Sequence, residues 1–121
     1  MVMMTTNILM VGAGGFFGAV CRYLMTLPFK PAEGTFPTAT FIVNISGCLA
    51  LGLISGRLSA PQHLLFGTGF LGAYTTFSAF SMETYALFSQ GRLTLGILYA
   101  GLSVLVGLLA ASLGFHLSKF Y

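Results

Sequence analysis

Charged side chains are scarce in this sequence. Its 121 residues include five Lys and Arg and two Asp and Glu, so charged residues make up 6% of the chain, against roughly 25% in soluble domains. So few charges could not cover the surface of a soluble fold. The basic residues are also dispersed, so they form no patch that would attract nucleic acid. We therefore expect an integral membrane protein that binds no nucleic acid.

Groups that could carry enzyme chemistry are equally few. The only acids are Glu33 and Glu83, and His63 lies far in sequence from either of them. Cys21 and Cys48 sit inside apolar runs without the spacing of metal ligands, so we interpret them as packing residues. A single acid without a nucleophile, a base or a metal partner does not make a catalytic site. We predict that the protein is not an enzyme.

Long uncharged runs fill the rest of the chain. Residues 1–21, 34–56, 58–82 and 93–118 carry no Lys, Arg, Asp or Glu, and each run reaches the roughly 20 residues that span a hydrocarbon core about 30 Å thick. Proline and glycine turns separate them, such as Pro28, Pro31 and Gly34. We predict an all-α integral membrane protein, a single domain of four transmembrane helices at residues 7–27, 37–55, 62–88 and 93–117. No basic residue precedes the first run, so we expect no cleaved secretory signal.

The third run has the composition of a broken helix. Residues 67–83 read GTGFLGAYTTFSAFSME, and each glycine costs a helix about 1 kcal/mol relative to alanine. Backbone that leaves the helix at membrane depth is tolerated only where protein or a water-filled cavity satisfies its polar groups. We predict a break near residues 72–76, in a segment that belongs to a permeation or binding pathway.

The basic residues give no orientation signal. With both termini inside, Arg57 and Lys119 lie on the inner side, and Arg22, Lys30 and Arg92 lie on the outer side. Orientation follows an excess of basic residues, and two against three is no excess. Four helices are also too few to enclose a selective pore alone. We expect a second copy and an antiparallel dual-topology homodimer, the alternative being that the rule is weak for so few charges.

Small residues four apart predict close helix contacts in lipid. Such pairs occur at Gly14 and Gly18 and at Gly52 and Gly56.

Several side chains in these runs are ambiguous on sequence alone. Asn44 lies mid-span and acts either as interhelical glue or as an N–H donor to a passing anion. Phe77 and Phe80 share a helix face and are either packing residues or ring edges that solvate an anion. Arg22 either snorkels to the interface or makes a pore entrance positive. Glu83 is either a vestibule carboxylate or an interfacial residue.

Together these motifs resemble the Fluc family of small fluoride channels, also called the CrcB family. The resemblance covers nearly the whole chain and rests on residues 14–18 (GGFFG) with Arg22 and Tyr23, on residues 40–47 (TFIVNISG), and above all on residues 69–83. It implies a fluoride-selective channel that exports fluoride passively from the cytoplasm and so relieves fluoride toxicity. It further implies a multi-pass protein of the bacterial plasma (inner) membrane, with two pores in an antiparallel homodimer.

The resemblance also assigns site residues. The fluoride pathway would contain Asn44, Phe77, Phe80, Ser78, Ser81, Ser103 and Tyr99, and the vestibules would contain Arg22 and Glu83. The backbone carbonyls of Gly72 and Thr75 from each subunit would hold a structural sodium ion at the dimer centre. Alanine replaces the family's more usual residues at positions 39, 73 and 79, and glycine stands at position 107. The resemblance therefore does not predict the conduction rate.

Two other functions compete with this one. A small dual-topology multidrug or guanidinium transporter also uses four helices, but its chemistry requires a carboxylate in the middle of the first helix, which here has none. A noncatalytic scaffold subunit would explain the small-residue pairs but leaves the helix break and Asn44 without a purpose.

Overall fold

The chain folds almost entirely into helices. The computed structural model describes residues 1–29 and 32–120, and the predictions made for Lys30 and Pro31 lie outside these residues. Helix α1 spans Val2–Thr26, α2 spans Thr38–Ile54, α4 spans Phe77–Ser89 and α5 spans Leu93–Ser118. Helix α3 begins with Ala60–Gln62, continues through π-helical turns at His63–Leu71 and ends with Gly72–Tyr74. The described ranges contain no strand, which confirms the all-α prediction.

Two helices are long and apolar enough to cross a membrane by themselves. These are α1 and α5, with 25 and 26 residues, each longer than a hydrocarbon core of about 30 Å at 1.5 Å per residue. Helix α2 is apolar but shorter, at 17 residues. Helices α3 and α4 follow one another across a short break and form a fourth, interrupted rod.

The helix ends differ slightly from the sequence predictions. Helix α1 begins at Val2 instead of residue 7, and the Thr5 and Thr6 hydroxyls donate to carbonyls one turn earlier. Helix α3 begins at Ala60 instead of residue 62. There, Ser59 and Gln62 form a reciprocal capping box, with proline in the first turn.

Glycines allow two pairs of helices to cross at backbone contact. Helix α1 packs on α3 and α2 packs on α5. A Cβ on Gly14 or Gly18 would overlap the carbonyl oxygens of Leu65 or Phe70, and one on Gly52 would overlap that of Ala111. The prediction was wrong for Gly56, which lies in the turn after α2 with φ 76°, where an added Cβ would have no neighbour within 4 Å.

The fully buried core is small, and its one cluster in the described part of the chain, Val43, Leu71 and Tyr74, lies next to the helix break. Its buried apolar residues are Val43, Leu71, Tyr74, Leu87 and Tyr99. Much of the apolar surface of α1 and α5 is exposed in the single chain, including Phe16, Leu105 and Leu108. Those faces are suited to lipid or to another subunit rather than to water.

Candidate functional site

The interrupted rod breaks at Thr75 and Thr76. Both residues are extended, with ψ 159° at Thr75 and φ −147° at Thr76. Helix α4 then starts again because the Thr76 hydroxyl accepts a hydrogen bond from the Ala79 N–H at 3.2 Å, an N-cap. The segment between Gly72 and Phe80 therefore places extended backbone next to the core.

Asn44 on α2 satisfies the backbone exposed by this break. Its Nδ2 donates to the Thr76 carbonyl at 3.0 Å, and its Oδ1 accepts from the Thr76 N–H at 2.8 Å. A primary amide has two N–H groups, so one remains after this pairing. Asn44 thus joins α2 to the break and retains a donor.

The helix break also leaves two carbonyl groups without their helical hydrogen bonds. In a continuous helix the Gly72 carbonyl would accept from the Thr76 N–H, and the Thr75 carbonyl would accept from the Ala79 N–H. Here the first N–H donates to Asn44 and the second to the Thr76 hydroxyl. The carbonyls of Gly72 and Thr75 are therefore released from these helical hydrogen bonds.

A cavity of about 340 Å³ lies beside the break. Its walls are mostly apolar, and no charged residue of the described chain lines it. The Phe77 and Phe80 rings lie 5.6 Å apart between centroids and are tilted by 42°. The cavity brings together six residues that the sequence predicted as site residues: Asn44, Gly72, Thr75, Phe77, Phe80 and Ser103.

The three predicted serines differ in their surroundings. The Ser103 hydroxyl is buried at this cavity and has no hydrogen-bond partner among the described residues. The Ser81 hydroxyl donates to the Phe77 carbonyl at 2.9 Å, and the Ser78 hydroxyl pairs with that of Thr76 at 3.2 Å. Neither Ser78 nor Ser81 is among the described residues that line the cavity.

Glu83 is held by two hydroxyl groups one helical turn beyond Phe80. Thr40 Oγ1 donates to Glu83 Oε1 at 2.6 Å, and Tyr99 Oη donates to Glu83 Oε2 at 2.7 Å. Tyr99 is 0% exposed, and its ring lies 5.4 Å from that of Phe80. Sequence reasoning missed Thr40. Its signal was the spacing from Asn44, since residues four apart on a helix lie on the same face.

A second, larger cavity of about 790 Å³ lies on the Glu83 side. The loop between α1 and α2 and the C-terminal half of α4 form its walls, which include Glu33, Phe36, Glu83 and Gln90. Arg22 is half-buried on α1 and does not line either of these two cavities in the described part of the chain. The structure of one chain thus brings Glu83, but not Arg22, to this space.

Comparison with known proteins decides the family. Residues 9–115 match the family model described as CrcB-like protein, Camphor Resistance (CrcB). The chain belongs to the CrcB-like family. It is 44% identical over 111 residues to the "Fluoride-specific ion channel FluC 2" of Bacillus cereus, which covers 90% of this chain and 94% of the relative. The "Fluoride-specific ion channel FluC 2" of Rhodococcus jostii is 46% identical over 114 residues, covering 93% and 99%.

Membership of the CrcB-like family confirms the resemblance seen in the sequence. A further relative, the "Fluoride-specific ion channel FluC" of Flavobacterium psychrophilum, is 43% identical over 120 residues, covering 93% of this chain and 97% of its own. These names describe an ion channel, which is not a class of enzyme. Family membership and the apolar helices together identify this CrcB-like chain as a membrane protein.

Proposed function

We propose that this protein is a fluoride-selective channel that exports fluoride passively from the cytoplasm and so relieves fluoride toxicity. The observation that carries the proposal is the 340 Å³ cavity at the helix break, where Phe77 and Phe80 meet Asn44 and the Ser103 hydroxyl, which has no partner among the described residues. The names of the relatives point to the same ion.

The chemistry of this cavity suits a small anion that is hard to dehydrate. Aromatic rings carry a positive edge, the second Asn44 N–H is unused by Thr76, and the Ser103 hydroxyl is a further donor. Each of these groups is a weak ligand. Conduction requires sites that bind the ion well enough for it to enter. These sites must also be weak and numerous enough for the ion to leave. A lining without lysine or arginine avoids trapping the ion.

The larger cavity would serve as the aqueous vestibule of this pathway. Fluoride leaving the phenylalanines would pass the Glu83 and Tyr99 pair to reach it. In this proposal Arg22 contributes positive potential at a pore entrance, and Ser78 and Ser81 offer hydroxyls from the α4 side.

A second copy of the chain would complete the pore. Phe77 is 79% exposed in the single chain although it lines the cavity, so one wall of the pathway is missing. The balance of basic residues favours an antiparallel partner. Arg57 itself lies beside the C-terminal end of α5, because its Nε donates to the Ser118 carbonyl at 2.9 Å. We propose a dual-topology homodimer with two pores, a multi-pass protein of the bacterial inner membrane.

A structural sodium ion would fit the break. The carbonyls of Gly72 and Thr75 are released from helical hydrogen bonds, and carbonyl oxygens suit hard cations. Bound there, sodium would neutralise the carbonyl dipoles of two facing breaks and stabilise the dimer. Replacing sodium by N-methylglucamine in every buffer is expected to lower the thermal stability of the dimer, and an unchanged melting curve would contradict this site.

A small cation or multidrug transporter is the less favoured function. Helix α1, Val2–Thr26, carries no carboxylate, and Glu83 is engaged by Thr40 and Tyr99.

Fluoride efflux from liposomes tests the proposed function. Purified dimer is reconstituted with internal potassium fluoride, a potassium ionophore shunts the voltage, and an electrode measures the released fluoride. A parallel set contains chloride. Rapid fluoride release with negligible chloride release is expected. Equal release of both anions, or no release from dimeric protein, would contradict the proposal.

A further inference from the structure

Phe36, in the loop between α1 and α2, has no role in the pathway described so far. Its half-buried ring lies 5.2 Å from the Tyr99 ring at an interplanar angle of 84°, an edge-to-face pair. It also meets Phe41 at 5.3 Å and 70°. Edge-to-face pairs are favoured arrangements of aromatic rings because a positive edge meets a negative face.

Tyr99 is fully buried and lines neither cavity in the described part of the chain, but it packs between two rings that do line them. Its second aromatic neighbour is Phe80, at 5.4 Å, which lines the 340 Å³ cavity, whereas Phe36 lines the 790 Å³ cavity. The Tyr99 hydroxyl donates to Glu83 Oε2 at 2.7 Å. A change in the orientation of the Tyr99 ring would therefore move its hydroxyl away from Glu83 Oε2.

We propose that Phe36 is a positioning residue for fluoride conduction, which fixes the Tyr99 ring so that its hydroxyl stays on Glu83 at the boundary of the two cavities. The proposal rests on the proposed fluoride function. Phe36 acts through Tyr99 and is not itself a ligand of the ion. Loss of its ring would let the Tyr99 ring reorient and release Glu83 Oε2.

The loop that carries Phe36 is anchored well enough for this role. Gly34 has φ 70°, and the Arg92 guanidinium packs so closely on it that a Cβ would overlap Nε. Only glycine fits such a position without strain. After Phe36 the chain enters α2 at once, and the Thr38 N–H donates to the Phe36 carbonyl at 2.8 Å. Both ends of the short segment that holds the ring are thus fixed.

Fluoride efflux from liposomes by single and double variants tests the proposal. Phe36→Leu removes the ring, and Phe36→Tyr keeps it. Phe115→Leu is the matched control, because Phe115 also forms an edge-to-face pair, with His116 at 6.4 Å and 86°, but lines neither cavity in the described part of the chain. Phe36→Leu is expected to lower the fluoride rate about three- to tenfold, the size of effect expected for one aromatic pair. Phe36→Tyr and Phe115→Leu are expected to stay close to the wild type.

The Tyr99→Phe background separates positioning from a general structural role. Without the tyrosine hydroxyl there is no hydrogen bond to Glu83 to be positioned, so Phe36→Leu should change the rate by less than about twofold there, the non-additivity expected of residues that act as a unit. If Phe36→Leu yields no dimer, Phe36→Met is measured in its place.

Two results would overturn the proposal for Phe36. One is the same rate for Phe36→Leu and Phe115→Leu. The other is an equal loss from Phe36→Leu in the wild-type and Tyr99→Phe backgrounds, which would indicate a general loss of folding. A wild type that releases no fluoride overturns the proposed function itself, and the Phe36 proposal with it.

Discussion

Two polar side chains at the helix break differ in their hydrogen bonding. Asn44 pairs with both backbone groups of Thr76, whereas the buried Ser103 hydroxyl has no partner among the described residues. A buried polar group without a hydrogen bond lowers stability. Under the proposed function, such a hydroxyl would be available to a passing anion, which would explain its cost to the fold.

Replacing Ser103 by alanine separates function from stability. The hydroxyl has no hydrogen-bond partner in the described part of the chain, so Ser103→Ala should leave the free energy of unfolding unchanged or raise it by about 1 kcal/mol while lowering the fluoride rate. Thermal unfolding and liposome efflux measure the two effects. Ser112→Ala on an exposed position of α5 is the control. A clear loss of stability with an unchanged rate would contradict the role of Ser103.

Replacing Asn44 should lower both the stability of the protein and its fluoride rate. Asn44→Ala leaves the Thr76 N–H and carbonyl unpaired, which costs about 1–3 kcal/mol for each buried group, so a lower melting temperature and a lower fluoride rate are expected. Asn44→Asp keeps the acceptor for the Thr76 N–H but loses the donor and adds a negative charge. It should therefore lower the fluoride rate at least as much as Asn44→Ala, and a rate near that of the wild type would contradict this account.

Individual residues were easier to predict than their partners. Asn44, Phe77, Phe80 and Glu83 stand out because polar or paired aromatic side chains are unusual inside an apolar run. Their hydrogen bonds could not be predicted, since Asn44 to Thr76 and Thr40 to Glu83 join residues 32 and 43 positions apart. Local periodicity contains no information on such distant pairs.

The interrupted rod of α3 and α4 is the element that builds the site. Its break was predictable, because glycines and adjacent threonines weaken a helix. The π-helical turns at His63–Leu71 were not. The turn at Gly56 was predicted, but the lack of a close helix contact there was not, since a small-residue pair looks the same in a helix contact as at a helix end. Whether such a pair makes a helix contact depends on which helix lies opposite, and that is set by the tertiary fold.

The crossing of α1 and α3 fixes the first half of this rod. Gly14→Ala would force a Cβ against the Leu65 carbonyl, and overpacking of this kind costs typically about 1–3 kcal/mol. A lower melting temperature is expected. Gly12→Ala lies on the same helix with no neighbour within 4 Å of the added carbon, so it should raise the melting temperature slightly, because alanine favours a helix by up to about 1 kcal/mol over glycine. Equal melting temperatures for the two variants would contradict the close crossing.

At the scale of the whole molecule, one chain leaves its site unfinished. Phe77 is exposed although it lines the cavity, and the long helices α1 and α5 bury few of their side chains. The predicted distribution of basic residues, two on one side and three on the other, would allow insertion in either direction. The proposed antiparallel pair would satisfy both observations, because it would cover the open wall and use both orientations.

Cysteine labelling in intact cells tests this assembly. Ala60→Cys and Ser89→Cys, each in a Cys21→Ala and Cys48→Ala background, mark opposite ends of the interrupted rod. With dual topology, a membrane-impermeant thiol reagent is expected to label about half of the copies of each variant. Full labelling of one variant and none of the other would show a single orientation and contradict the antiparallel dimer.

The most direct measurement of the central claim compares fluoride efflux by the wild type and by Phe80→Ile in the same liposomes. The substitution keeps an apolar side chain but removes the ring edge from the cavity and from Tyr99. If the cavity at the helix break is the fluoride path, the wild type releases fluoride rapidly and Phe80→Ile, as an intact dimer, releases it far more slowly. Equal rates from the two dimers would show that fluoride does not pass by these rings and would contradict the account.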